Sequence, residues 1–374
     1  MKVFYLIKSL SNSGGMERVI TLKANLLAEL YGLNVEVITY SDDFNIYFEL
    51  SEKVKVKNFP LQGSSQENIF KEIVSYINTS NPDVLISTGG KDIALASKTN
   101  KNIYKVLELH FCFRAAVLRE ISLKRSWFFY LLGYIKIAKS IYFSKRFNII
   151  VALSQRDAVL WSRFSSVKAV SIVNPSTFDV DFESLTTIKS KITKFIAVGR
   201  LSAEKDFESL LLSCSILKKE LNCKEWLLNI YGEGELYDAL SHKIIKLGLH
   251  ENVIINKPVV NIDQVYLEAD FLLMTSMYEG LPMVIIEAMS FAVPCVAFDC
   301  ESGPGEIITH GCDGYLVKDR DTMQFALALK DCIQMSEKEY EVISINAYNK
   351  SKNYSQVKVM QAWHDLFKLS KKFR

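Results

Sequence analysis

Short runs of β-branched and aromatic residues, apolar on both faces, alternate along the chain with longer stretches in which apolar residues recur every three or four positions. The first half reads VFYLI at 3–7, a helical pattern over 17–31, VEVITY at 35–40, a helix near 66–78 and DVLIST at 83–88. The alternation resumes with YKVLEL at 104–109 and NIIVALS at 148–154, and a long helical region over roughly 115–147 separates these two. Strands apolar on both sides, each followed by a helix, indicate a parallel sheet covered on both faces. After VSIVNPSTFD at 170–179 comes a polar stretch, FESLTTIKSKITK, without sustained periodicity, and KFIAVGRL at 194–201 starts the alternation afresh. A helix near 206–221, WLLNIYG at 226–232, a helix near 235–247, VIINKP at 253–258, DFLLMTS at 270–276, a helix over 282–291 and PCVAFDC at 294–300 follow. The pattern predicts an α/β chain of two doubly wound domains, 1–180 and 190–353, closed by an amphipathic stretch at 353–369.

Ligands of such sheets bind outside the carboxyl ends of the strands, so the loops leaving strands hold the candidate chemistry. The first strand ends in SLSNSGGMERV, where Gly14 and Gly15 allow close backbone approach and the next helix presents amide N–H groups to an anion. A tight strand-to-helix turn explains the same pair, and neither G-x-G-x-x-G nor G-x-x-x-x-G-K-[ST] is present. The second domain opens with FIAVG followed by Arg200, and Lys205 comes five residues later. Two cations converging above the sheet would neutralise a diphosphate; as a bare pattern, a solvated loop pair is the better account of them. In YEGLPMVIIEAMSF at 278–291, Pro282 is expected at the first helical position, with Glu279 in the loop before it and Glu287 about a turn and a half inside. Such an element offers carboxylates to vicinal hydroxyls and a helix N-terminus to phosphate oxygens, which suits both ends of a nucleotide sugar. The apolar neighbours of Glu287 suggest a specific partner rather than a solvated face.

In order and spacing, SNSGGMERV, VALSQRDAV, VNPSTFD, AVGRLSAEKDFESLL, YGEGEL, SMYEGLPMVIIEAMSFAVPCVAFD and SGPGEIITHGCDGYLV resemble a family four glycosyltransferase with the GT-B fold over nearly the whole chain. Glu279 and Glu287 match the Glu-x7-Glu signature of that family. The resemblance implies two Rossmann-like domains facing across a cleft, an acceptor-side first domain, a donor-binding second domain, and a last helix, 354–374, that crosses back to the first. It implies that Arg200 and Lys205 grip the donor diphosphate, that Glu287 binds the ribose hydroxyls, and that Glu279 faces the transferred sugar. Gly15 matches the first-domain loop that approaches the diphosphate, and Leu281 and Met283, at the start of the Glu287 helix, join the donor-binding positions. His110 falls where members often place a histidine toward the sugar; on its own it reads as a loop or core histidine, and only the match singles it out. The chain departs from the family at Asn256, Lys257 and Pro258, where a glycine is usual, which leaves the nucleobase open. Retention of anomeric configuration without a protein nucleophile is implied, the departing diphosphate taking the acceptor proton, and no metal or cofactor is expected.

Composition narrows the setting. Of 374 residues 49% are hydrophobic and 23% charged, so both domains bury a core and no long disordered tract fits. Seven cysteines without a Cys-x-x-Cys, and five histidines without ligand spacing, read as reduced thiols rather than a disulfide or zinc framework. The N-terminus, with Lys8 interrupting its apolar run, reads as a buried strand and not a signal peptide, and no run approaches a membrane span. Net charge is +3. Much of the basic excess lies in 114–146, where eight Lys and Arg accompany one acid, Glu120, among many aromatics. That segment suits an anionic inner-membrane surface carrying a lipid-diphosphate-linked glycan acceptor, or else a buried helix with a solvated basic side. Nucleic acid is not an expected partner, since no recognition module is visible. The expected function is a retaining transferase moving a hexose or N-acetylhexosamine from a nucleotide sugar, with UDP the expected carrier, to a lipid-linked surface glycan at the cytoplasmic face of the membrane. The alternatives are a non-catalytic nucleotide-sugar-binding subunit and a GT-B nucleotide-sugar epimerase.

Overall fold

A computed structural model describes residues 1–371 except 13, 63, 64, 124 and 186, together with all but the side chain of Lys371. Two compact units divide the chain: residues 1–116, 131–177 and 355–374 form one, and residues 117–130 with 178–354 form the other. The stretch 117–130, expected within the first domain, groups with the second unit.

In the first unit the elements are β1 (Lys2–Leu6), α1 (Gly15–Glu29), β2 (Asn34–Thr39), β3 (Lys55–Asn58), α2 (Gln66–Ser80), β4 (Val84–Ser87), α3 (Asp92–Ala96) and β5 (Tyr104–Leu109). Then come α4 (Ala115–Ser122), which runs into the second unit, α5 (Trp127–Ser144), β6 (Ile149–Ala152), α6 (Gln155–Ser165) and β7 (Ala169–Ser171). All seven strands pair in parallel in the order β3-β2-β1-β4-β5-β6-β7, so the order reverses beside β1. Successive residues of a strand face opposite sides. Val3 and Tyr5 therefore pack with Ile20, Ala24 and Leu27 of α1, whereas Phe4 and Leu6 pack with Ile73 and Ile77 of α2.

The second unit holds β8 (Thr193–Val198), α7 (Phe207–Lys219), β9 (Trp226–Tyr231), α8 (Tyr237–Leu247), β10 (Val253–Asn256), α9 (Ile262–Leu267), β11 (Phe271–Met274) and α10 (Met283–Ser290). It continues with β12 (Cys295–Asp299), α11 (Pro304–Ile307), β13 (Gly314–Lys318), α12 (Thr322–Gln334) and α13 (Glu337–Ser351). Its parallel order is β10-β9-β8-β11-β12-β13, again reversing beside the first strand. The last helix, α14 (Gln356–Lys371), belongs to the first unit, where Trp363 and Phe367 join the face lined by α1.

Three expectations change. The helical region expected over 115–147 is two helices, because after α4 the amide of Arg125 turns back to the Glu120 carbonyl at 3.2 Å and the chain restarts at Trp127. Pro282 caps α10 from an extended conformation, φ −72° and ψ 93°, and Met283 is the first helical residue. The strands β3, β7 and β13 were not anticipated: the first is a half-exposed KVKN edge, the kind of short, lysine-bearing edge that blunts sheet-to-sheet pairing, and hydrophobic periodicity barely registers in so few residues.

Asp92, at the head of α3, is buried, with Tyr40 Oη donating to one carboxylate oxygen and Thr88 Oγ1 to the other at 3.0 Å. Burial, only partly offset by these two donors, pushes its carboxyl from the ordinary 3.8 up to about 7. Since the folded value is the higher one, the unfolded chain gives up this proton first, and stability falls as pH rises between roughly 4 and 7. Asp92→Asn is expected to flatten the decline of melting temperature with pH across that window; an unchanged slope would contradict the assignment.

Candidate functional site

The loops that leave β8 and β11 meet at the carboxyl ends of neighbouring strands. Two bonds draw them together: the amide of Met277 donates to the Glu204 carbonyl at 2.8 Å, and Thr275 Oγ1 donates to the Asp206 carbonyl at 3.0 Å. Asp206 adopts a left-handed conformation, φ 47°, and its carboxylate accepts from the Ser209 amide and hydroxyl at 3.3 and 2.7 Å, which ends the loop and starts α7. Lys205 is thereby placed so that its Nζ donates to Glu279 Oε1 at 2.6 Å, with both side chains largely covered. Arg200 stands at the head of the same loop, exposed, and among the described residues forms no ion pair.

Glycines let the remaining loops close on this pair. A Cβ on Gly232, in the loop after β9, would fall 1.9 Å from the Gly199 carbonyl oxygen, and one on Gly234 would fall 2.4 Å from that of Leu201. The loop after β12 arrives through Gly303, φ +105°, whose added Cβ would stand 2.7 Å from Pro282 Cδ and 3.3 Å from Glu279 Cβ. A lone bridge between Tyr278 and Glu301 joins the same two loops. Four strand-end loops therefore crowd around Lys205 and Glu279 in the second unit.

Glu287 lies one turn into α10 and is buried, 5% exposed; Tyr266 Oη donates to its Oε2 at 3.0 Å. Tyr266 is itself fixed by stacking on Phe291, with centroids 5.5 Å apart, and by the edge of Phe178. Leu281 is buried and Met283 half-buried beside the helix start. This unit thus brings Arg200, Lys205, Glu279, Glu287, Leu281 and Met283 onto two adjoining loops and one helix. At the departure from the family pattern, Asn256 Nδ2 donates to Asn229 Oδ1 at 3.0 Å, and residues 257–260 are exposed.

The other two candidates lie in the first unit. Gly15 is the first residue of α1, and a Cβ added there meets nothing within 4 Å, so local packing does not demand glycine. His110 follows β5 and is buried, 9% exposed, with Nε2 3.3 Å from Glu108 Oε1. Among the described residues no disulfide joins any of the seven cysteines, and no group of three His, Cys, Asp or Glu is arranged to hold a metal ion.

Residues 182–350 match the family model described as glycosyl transferases group 1. That region is a group 1 glycosyl transferase domain. The chain is 29% identical over 372 residues to the amylovoran biosynthesis glycosyltransferase AmsD of Erwinia amylovora, covering 98% of this chain and 99% of that one. It is 26% identical to the GalNAc-alpha-(1->4)-GalNAc-alpha-(1->3)-diNAcBac-PP-undecaprenol alpha-1,4-N-acetyl-D-galactosaminyltransferase of Campylobacter jejuni, covering 97% of each. Among solved structures, a TarM mutant of S. aureus in complex with fondaparinux, α-GlcNAc-glycerol and UDP superposes with a TM-score of 0.79 at 15% identity, covering 98% of this chain and 99% of that one. The fold class is GT-B, with two parallel-sheet Rossmann-like domains.

Within the glycosyl transferase domain, three contributors escaped the sequence reading. Tyr266 sits in an unremarkable VYLEAD run, and Thr275 precedes the signature without charge or motif of its own. Gly303 could have been found, since Gly-Pro just after a strand signals a backbone that must pass close to something.

The glycine geometry yields a paired prediction. Gly232→Ala drives a methyl into a carbonyl oxygen and should cost about 3 kcal/mol or more, whereas Gly15→Ala, in open space on a helix, should lie within about 0.5 kcal/mol of wild type. Chemical denaturation of the two variants checks this, and equal stabilities would contradict the packing described.

Proposed function

We propose that this glycosyltransferase moves a hexose or N-acetylhexosamine, with retention, from a UDP-sugar to a lipid-diphosphate-linked acceptor during assembly of a surface polysaccharide. The observation that carries the reading is the Lys205–Glu279 contact at 2.6 Å, set at the strand ends of the glycosyl transferase domain beside buried Glu287. A diphosphate needs fixed positive charge, and Lys205 with Arg200 provides two cations, while the first amides of α10 add a helix N-terminus. In this reading the diphosphate draws Lys205 away from Glu279, and the released carboxylate accepts from hydroxyls of the sugar. Glu287 accepts from the ribose, oriented by Tyr266, and Leu281 and Met283 flank the donor. His110 bonds a sugar hydroxyl, and Gly15, with open space above its α-carbon, allows backbone amides to approach the phosphates.

As the anomeric bond breaks, negative charge grows on the leaving phosphate, where these cations lie, and that phosphate removes the acceptor proton. Neither a resident metal nor a cofactor enters the scheme. The relatives support the remaining choices: AmsD by its place in amylovoran biosynthesis, the Campylobacter enzyme by its PP-undecaprenol substrate, and the TarM structure by its bound UDP.

The acceptor places the enzyme at the cytoplasmic face of a membrane, and 114–146 is the proposed contact. No helix among the described residues is long and apolar enough to cross a bilayer. Yet Trp127, Phe128, Tyr134 and Ile135 are exposed by 74, 52, 52 and 54%, alongside exposed Arg125, Lys136 and Lys139. Apolar side chains flanked by cations match an anionic interface.

Two measurements test the reading. Purified protein with a panel of nucleotide sugars and undecaprenyl-diphosphate glycans, followed by mass spectrometry, should give a product heavier by one sugar. Arg200→Ala and Glu287→Ala should each reduce turnover about 100-fold or more. Conversion of donor without acceptor would instead identify an epimerase, and UDP binding without turnover a non-catalytic subunit. In sedimentation with vesicles, wild type should pellet with phosphatidylglycerol-rich but not phosphatidylcholine vesicles, and a Trp127→Ser/Phe128→Ser variant should remain in the supernatant; equal recovery of wild type and variant would contradict the membrane contact.

A further inference from the structure

The first unit buries a chain of charges of which the proposed function uses only one end. Lys23, in the middle of α1, is fully buried, and its ammonium donates to Oε1 of Glu108, also fully buried, on β5. The same oxygen lies 3.3 Å from Nε2 of His110. On its other side, Lys23 Nζ sits 3.7 Å from the centroid of the Trp363 ring in α14, with the Tyr5 ring of β1 at 5.9 Å. Glu108 and His110 are two residues apart along an extended segment, so they emerge on one face of the sheet, the face that α1 and α14 cover. Four elements thus converge on the carboxylate beneath the histidine.

The arrangement is costly unless it has a use. A buried lysine–glutamate pair gains little over a well-packed apolar pair of the same size, because desolvation consumes most of the attraction. What it provides here is a fixed anion under an imidazole. Burial alone would raise the Glu108 carboxyl, but the Lys23 ammonium and His110 outweigh it and bring it down to about 2, so it is ionised throughout the neutral range. A carboxylate only accepts hydrogen bonds, so a ring nitrogen turned toward it must carry a proton. Nε2 is sealed from solvent and has no hydrogen-bond partner of proper geometry as it stands, while Glu108 Oε1 lies 3.3 Å away, near enough to accept its proton after a small turn of the ring.

We propose that Lys23 and Glu108 are positioning residues that lock His110 as its Nε2–H tautomer, so that Nδ1 is the ring atom offered to a sugar hydroxyl. The second half of this statement rests on the role given to His110 under the proposed function; the first half stands without it. The ring then accepts from a hydroxyl rather than donating to an ether or carbonyl oxygen, which restricts the substrate atoms it recognises. Trp363 packs over the ammonium and keeps it directed at Glu108, which ties the last helix to the orientation of the histidine.

Two double variants separate positioning from mere stability. Lys23→Met/Glu108→Leu removes both charges and the acceptor, whereas Lys23→Met/Glu108→Gln removes the charges and keeps an acceptor; circular dichroism and melting temperature establish that each folds. Long-range nitrogen–proton NMR on histidine-labelled protein, with His110 assigned by loss of its signals in His110→Ala, reads the tautomer without any activity. Wild type and the glutamine pair should show a pyrrole-like Nε2 and a pyridine-like Nδ1, and the leucine pair should show averaged shifts. A wild-type Nδ1–H tautomer, or a leucine pair indistinguishable from wild type, would overturn the lock. In transfer assays the leucine pair should lower kcat about tenfold at unchanged donor KM, the glutamine pair should recover most of it, and neither should cost anything further in a His110→Ala background. Losses that add in full to that of His110→Ala would overturn the positioning role. Absence of any transfer by wild type, with the NMR result intact, would instead defeat the proposed function and leave the lock standing.

Discussion

A single backbone bond organises the candidate site of the glycosyl transferase domain. The amide of Met277 donating to the Glu204 carbonyl holds the exit of β11 against the loop leaving β8, and the Thr275 hydroxyl, donating to the Asp206 carbonyl, reinforces it two residues away on each loop. Lys205 and Glu279 are 74 residues apart in sequence, and this join is what sets their charged atoms in contact. β8 lies between β9 and β11, so the order of the sheet reverses beside it, the place where ligands of such sheets bind. Glycines at 232 and 234 then let the loop after β9 pack against the backbone of the loop leaving β8, and Gly303 lets the loop after β12 close on Pro282 and Glu279.

The two units solve the same packing problem with different electrostatics. In the glycosyl transferase domain Lys205 and Glu279 sit at the strand ends, largely covered but still reached by solvent. In the first unit, Lys23 and Glu108 are wholly buried among α1, β5 and α14, with His110 beside them. The first arrangement is suited to binding charge that arrives, the second to holding one side chain still.

Much of this was readable from the residues alone. Strands apolar on both faces alternating with helices dictated parallel sheets, and the spacing from Glu279 to Glu287 put one acid in a loop and the other inside α10. The apolar neighbours of Glu287 already suggested a partner, and Tyr266 is one; what hid Tyr266 was that α9 is only six residues long and joins the site through stacking, not sequence proximity. Lys23 was hidden for a similar reason: within α1 it reads as a solvent-facing lysine, and only the pairing of sheet and helix brings it to Glu108, 85 positions away. Pro282 looked like a first helical residue because its fixed φ suits one, yet its ψ of 93° leaves it a cap. The edge strands β3 and β7 are too short to carry a period of their own, and the turn at Arg125 that divides α4 from α5 is held by the bonds of its amide and guanidinium to Glu120, which composition does not foretell.

The central claim is that Lys205 is a diphosphate ligand without a metal's help. Isothermal titration of UDP and UMP against wild type and Lys205→Ala, in buffer containing EDTA, tests it most directly. Wild type should prefer UDP, and the variant should bind the two nucleotides with nearly equal affinity. A preference for UDP that survives the substitution, or that appears in wild type only when a divalent cation is restored, would contradict it.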